Sequence, residues 1–395
     1  FLNYIYDNIF DVAESEEEAI VRIAMYIDGF DMSMRDEFEK KRVFEYDGQN
    51  YEFNYFTTPI EMDEVYLAQL KNYTEKEKEI ITSRHNAVTL FTEFTSNFRN
   101  EFKMQCLIAS IICDDTLIVI DDSAEKVMNY KFVKKIGFAK SEPAVTDLYS
   151  VQIVFEDEKI WYHTHGLIRY GIPELEILNS KEELYDFHWT TITVLAEKML
   201  YEIDENDTYF IGYLKEDFPL VVTHIPWNEA LKKYPKEILG GYLDREAAHN
   251  TNTHVIFGYL TPENLENNVI SKLEEYDNEW SNDPIFFHTT EETERRSECA
   301  KENFSYVKKY FDFEKENVSI KVKLLDDKDG YEHIWFTLLE INDDGTFKGR
   351  LENTPFNISR IKKGDIGIYS IDDISDWMLY MDNTSNNPDI VYKLD

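Results

Sequence analysis

Two histidines, His163 and His165, stand one residue apart in WYHTHGLIRYGIPELEIL (residues 161–178), and two glutamates, Glu174 and Glu176, repeat that spacing nine residues later. Side chains alternate along a strand, so Trp161, His163 and His165 share one face, and Glu174 and Glu176 share one if PELEIL is extended. Gly166 and Gly171-Ile172-Pro173 allow the chain to turn back between the two pairs. Neighbouring strands would then set two imidazoles against two carboxylates. That is a mixed nitrogen and oxygen donor set suited to Zn, Mn or Fe, or a His–Glu acid–base pair. The same residues, with Arg169 between them, also suit a structural hydrogen-bond network or a binding surface without catalysis. The spacing is neither that of a helical HExxH site nor that of a zinc ribbon.

Other histidines carry less. His188 lies on the apolar stripe Leu184, His188, Thr191 and Leu195 and reads as a core histidine. His249 and His254, in HNTNTH, flank a polar loop and are expected in solvent; His288 precedes a helix start. Counted from Glu340, the stretch around INDDGTFKGRLE mimics a calcium loop, with Asn342, Asp344 and Gly345 at the expected positions, yet the twelfth position is Leu351 and the flanks read as strands, so a hairpin turn is expected. There is no GxGxxG, no Walker loop and no GxSxG elbow, which withdraws support from nucleotide cofactors and serine-hydrolase chemistry. Gly240-Gly241 reads as an isolated turn. No residue is assigned a catalytic or metal-ligating role and no cofactor is expected.

The elements that must position these residues read as α+β, with mixed or antiparallel sheets, helices packed on them, and two or three domains. SEEEAIVRIAMYI puts Ala19, Ile20, Ile23, Ala24 and Ile27 on one helical face. A hairpin follows around Asp47-Gly48, then a helix near residues 61–72, a strand at 87–94, a helix at 98–113 and a strand at 116–120. Another helix is expected from Ser123, capped by Asp122-Ser123. From Leu148 the pattern turns to strands, two of them around the turn at 156–159 and a third at PELEIL. Ser180 and Glu183 form a capping box for the helix after them, and Thr261-Pro262 opens another. SNDP at 281–284 marks a boundary, after which one amphipathic helix leads into an antiparallel meander with turns at Asp329-Gly330, Asp344-Gly345 and Lys363-Gly364. The domains expected are 1–203, which carries the HTHGL/PELE motif, a middle segment 204–283, and 284–395.

Charge narrows the partners. Lys and Arg number 41 against 78 Asp and Glu, a net charge of −37. Such a surface repels nucleic-acid phosphates and anionic membranes, and leaves basic proteins or cations as partners. With 43% apolar and 15% aromatic residues, the 395-residue chain has material for packed cores. The three cysteines, Cys106, Cys113 and Cys299, read as free thiols of a reducing compartment. No signal peptide or bilayer-long apolar run is visible, so a cytoplasmic location is expected. The chain begins with Phe1 rather than Met, which leaves room for a native start ahead of it.

Two stretches resemble known families. EHIWF, FKGRLENTP, KKGD and DISDWM, within residues 332–380, resemble the YegJ-like bacterial domain of unknown function, with Glu332, His333, Trp335, Gly349, Leu351, Asn353, Pro355, Gly364, Asp365, Asp376 and Trp377 at the pattern positions. Here Thr354 follows Asn353 directly before Pro355. Together with the preceding helix the resemblance covers roughly residues 286–380. WYHTHGLIRYGIPELEIL resembles the hallmark of a second uncharacterised family, from low-GC Gram-positive bacteria, whose members carry it before a YegJ-like domain. The resemblance implies an architecture and no reaction. Within the C-terminal module, Glu332 and His333 point to opposite strand faces, and His333 could meet Asp376 or Trp377 across the sheet, as a structural pair or as part of a ligand pocket. The candidate binding residues are therefore His163, His165, Arg169, Glu174, Glu176, His333, Asp376 and Trp377. The function expected is that of a non-enzymatic cytoplasmic acidic binding or regulatory protein that neutralises a basic protein partner. The alternative is a metal-dependent hydrolase using His163, His165, Glu174 and Glu176.

Overall fold

The computed structural model describes residues 20–25, 40–46, 48–59, 62–83, 86–92, 97–112, 117–202, 207–215, 218–245, 249, 252–276, 285–381 and 384–394. Its α+β architecture rests on three sheets with helices packed on them. The chain divides into two compact units, Phe1–Gly137 with Val145–Thr289, and Phe138–Ala144 with Thr290–Asp395.

The first sheet joins β1 (Ile20–Met25), β2 (Lys40–Tyr46), β3 (Gln49–Pro59), β4 (Asn86–Thr92), β5 (Ile118–Asp121) and β6 (Lys126–Asn129) in the order β2-β3-β4-β1-β5-β6. It is mixed, because β1 runs parallel to both β4 and β5. The helix expected over residues 15–27 is thus a strand where it is described. An inner strand between parallel neighbours favours the β-branched run Ile20, Val21, Ile23 over its helical periodicity. The helix expected from Ser123 also gives way, to the tight turn that joins β5 to β6, with Glu125 in the left-handed region at φ 47°. A helix follows only at Tyr130–Phe138. Cys113 lies outside the described residues, as does the SNDP boundary.

The second sheet holds β7 (Ser150–Glu156), β8 (Lys159–His165), β9 (Glu174–Ser180), β10 (Thr208–Lys215), β11 (Phe218–Pro226), β12 (Thr253–Gly258), β13 (Ser271–Lys272) and β14 (Ile285–Phe286). Its order is β14-β10-β11-β12-β9-β8-β7, with β13 beside β12. The chain returns to β12 to pair in parallel with β9. Strands β10 to β13, from the expected middle segment, thus lie in the same sheet as β7 to β9. Strand alternation splits β8 and β9 between two apolar clusters. Ile160, Tyr162, Leu175 and Ile177 join the large core with Leu195 and Phe187 of the helix Tyr185–Tyr201. Trp161 and Leu178 face the other way, against Leu231, Ile238, Leu239, Val255 and Phe257. The helix at 185 has no side-chain cap. Ser180 Oγ instead meets His188 Nδ1 at 2.7 Å inside the core, where His188 is fully buried.

The third sheet is an antiparallel meander of β15 (Val318–Leu325), β16 (Tyr331–Ile341), β17 (Thr346–Leu351), β18 (Ile366–Ser370), β19 (Ile374–Met381) and β20 (Thr384–Asn386), ordered β18-β17-β16-β15-β19-β20. The single helix expected before it is two, Thr290–Glu302 and Phe304–Tyr310, broken at Asn303, whose side chain donates to the Cys299 carbonyl at 3.0 Å. Trp377 is buried in the core of this unit and its indole N–H donates to Ala300 O at 3.0 Å. Among the described residues no helix is long and apolar enough to cross a membrane.

Candidate metal centre

His163 and His165 sit on β8 on the face of Trp161, as alternation requires. Their ring centroids are 5.0 Å apart, and both residues are buried. A third imidazole joins them. His249 is 4.9 Å from His163 and 5.6 Å from His165, centroid to centroid, and one ligand atom from each of the three lies within 4.8 Å of the others. His163 Nδ1 and His165 Nε2 are buried and have no hydrogen-bond partner.

The described residues ahead of His249 are held in place by packing and hydrogen bonds. Gly240 adopts φ +77° and lies flat on Trp161, so that a Cβ there would come within 2.8 Å of the indole ring. Only glycine meets both demands. Asp244 accepts from Gly240 N at 2.9 Å. Arg245 donates to the carbonyls of Gly240 at 2.9 Å and of His249 at 2.8 Å, tying the two ends of the segment together. Its guanidinium also makes a fork to Glu176, at 2.6 and 2.9 Å, with both side chains buried. The Arg245 plane stands 4.7 Å over Trp227.

The two glutamates therefore do not serve the histidines. Glu176 lies directly opposite His163 in the ladder but is engaged by Arg245. Glu174 accepts from Thr164 Oγ1 at 2.6 Å, Gly166 N at 2.8 Å and Ile168 N at 3.2 Å, and so closes the β8–β9 connection. The carboxylate that does reach the cluster is one that sequence spacing could not nominate. Glu125, from the β5–β6 turn, stands 3.4 Å from His165 Nδ1, and Gln152 steadies its other oxygen at 3.0 Å. Arg169 is elsewhere as well. It forms a buried bidentate pair with Asp121 at 2.8 Å and donates to Leu148 O.

Burial sets the charge of the site. It drives His163 down to about 2, helped by His165, His249 and Arg245, and it drives His165 down to about 4. Both rings are neutral at physiological pH, which is the form that binds a metal. Burial pushes the Glu176 carboxyl up to about 7, against the pull of Arg245.

A second imidazole pair lies on the other face of the sheet. His224 and His254 approach Nδ1 to Nδ1 at 2.7 Å, so one ring donates to the other. His254 is thus not the solvent-exposed loop residue expected. In the third sheet, His333 and Asp376 share a face and are separated by β15, since Lys323 is opposite His333 and Lys321 opposite Asp376. Trp377, paired with Ile320, faces the core on the opposite side and does not meet His333. Glu332 instead receives Phe356 N at 2.8 Å and Asn357 N at 3.0 Å, holding the loop after β17.

Comparison with family models places these features. Residues 6–143 match the N-terminal and residues 150–257 the C-terminal domain of a protein of unknown function, DUF4026, and residues 284–387 match DUF2314, an uncharacterized protein conserved in bacteria. The chain carries both DUF4026 domains and a DUF2314 domain. All three clustered histidines fall within the matched DUF4026 C-terminal domain, whereas Glu125 falls within the N-terminal one. The DUF2314 match spans the stretch that resembles the YegJ-like domain. No curated protein and no solved structure matches the chain.

Proposed function

We propose that the chain is a metal-binding protein whose centre is formed by His163, His165 and His249 and takes a divalent transition ion of the zinc class. The observation that carries this reading is the convergence of three imidazoles with two buried ring nitrogens left without partners. An unmet buried nitrogen costs free energy that a bound cation would offset. Tetrahedral Zn–N bonds of about 2.0–2.1 Å set ligand nitrogens roughly 3.3 Å apart, a closure within reach of small ring rotations from the present separation. Glu125 behind His165 supports the reading, because metal-bound imidazoles commonly hand their second nitrogen to a carboxylate. With Glu174 and Glu176 engaged elsewhere, the site is read as a binding centre and not as a hydrolase that uses those carboxylates.

Titration calorimetry with zinc on chelator-free protein tests the proposal. One equivalent should bind to the wild type, and His163→Ala and His249→Ala should each abolish it. Absence of stoichiometric binding, or binding that survives His249→Ala, refutes it.

A second reading, capture of a basic protein partner, is favoured by a groove of about 1020 Å³ on the same unit. Five carboxylates, Asp157, Glu158, Glu182, Glu183 and Asp186, outnumber Lys159 and Lys181 in its lining, beside the exposed rings of Phe155 and Tyr185. Charge and aromatic anchors together suit Lys- and Arg-bearing segments. An arginine-rich probe peptide that binds the wild type and the Glu182→Gln/Glu183→Gln/Asp186→Asn variant equally would remove this reading.

A further inference from the structure

Among the described residues, strand β18 ends the third sheet and pairs only with β17. Its residues Ile-Gly-Ile-Tyr-Ser carry no charge and no proline. Edge strands are ordinarily guarded by one or the other. Asp365 O accepts from Leu351 N, and Ile371 N donates to Gly345 O, so the odd-numbered residues between them turn their backbone groups toward β17. In an antiparallel ladder the N–H and C=O of one residue point to the same side. The backbones of Ile366, Ile368 and Ser370 therefore face the open edge. The side chains of Ile366 and Ile368 also stand out from the sheet, 57% and 69% exposed, whereas Tyr369 packs inward on Phe336 at 4.3 Å.

The flanks of this strand complement one another. Lys362 and Lys363 precede it, Asp372 and Asp373 follow it, and all four are exposed. Two antiparallel copies related by a two-fold axis through Ile368 would set Ile368 opposite Ile368 and Ile366 opposite Ser370. They would also bring the lysine pair of each copy to the aspartate pair of the other. A parallel arrangement would oppose like charges instead. Any unrelated partner would have to reproduce this order of basic, apolar and acidic residues, whereas a second copy carries it by construction.

We infer that β18 is a self-association edge, and that the protein forms a two-fold dimer by antiparallel β18–β18 pairing that extends the third sheet across two copies. The partner is a second copy of this chain. The contact is a single strand pair with four isoleucines on one face, which places it among the small, reversible interfaces.

Sedimentation velocity of the full chain, from low to high micromolar concentration at physiological salt, is the test. The wild type should pass from monomer to dimer over that range. Lys362→Asp/Lys363→Asp sets acid against acid and should remain monomeric, as should Asp372→Lys/Asp373→Lys, which sets base against base. The variant with all four changes restores opposite charges across the axis and should dimerise again. Ile368→Lys, at an exposed position that leaves the fold intact, should also remain monomeric. A wild type that is monomeric at every concentration overturns the inference. So does a dimer that persists in both two-residue variants, or a four-residue variant that fails to recover. None of these outcomes bears on zinc binding by the histidine cluster.

Discussion

Arg245→Met isolates the residue on which the candidate centre hangs. The substitution keeps the length of the side chain but removes the fork to Glu176, and Glu176 is fully buried. It also strips the hydrogen bonds to Gly240 O and His249 O that hold the histidine-bearing loop. Removing one partner of a buried ion pair costs about 3–5 kcal/mol, because the carboxyl left behind, already pushed up by burial, must take up a proton or keep an uncompensated charge. The loss should fall at neutral pH on the unfolding transition of the unit that holds Trp161 and Trp227, both next to the guanidinium. Urea unfolding followed by tryptophan fluorescence reads it directly. Zinc affinity should fall along with stability, since His249 loses its anchor. Replacing both partners, Arg245→Met with Glu176→Leu, removes the orphaned charge and should recover most of the stability without recovering the metal site. A loss below about 1 kcal/mol in Arg245→Met, or a double variant no more stable than the single one, would refute the view that this pair is dry and structural.

Three further outcomes follow from the same geometry. Gly240→Ala, with φ +77° and the Trp161 ring in the way of a Cβ, should destabilise by more than about 1 kcal/mol in the same urea assay. Glu125→Gln should leave the fold unchanged and weaken zinc binding by about tenfold or more in calorimetry, the effect expected of a carboxylate that orients a metal-bound imidazole. Burial holds His188 down to about 3, so below pH 6.5 the unfolded chain takes a proton that the folded chain refuses. Its contribution is present in full above 6.5 and is lost as pH falls toward 3. His188→Gln should therefore shallow the acid decline of stability by about 1.4 kcal/mol per pH unit between pH 6 and 4, measured by urea unfolding at each pH.

The sequence by itself determined the local elements with a strong pattern. Strand alternation placed Trp161, His163 and His165 on one face, turn chemistry located the β16–β17 hairpin, and PELEIL reads as the strand it forms. The buried nature of His188 was also legible from its apolar stripe. The tertiary structure decided everything that depends on which strands become neighbours. β1 is a strand because two parallel partners enclose it, which no window of its own sequence reveals. His249 reaches His163 because the chain returns to pair β12 alongside β9, 84 residues after His165. Glu125 arrives from a different sheet. Two glutamates at the spacing of a ligand pair were instead drawn off, one by Arg245 and the other by the backbone of its own turn. Hydrogen-bond competition of that kind is settled by three-dimensional proximity. Spacing along the chain states which side chains share a face, and only packing states which partner each of them finds.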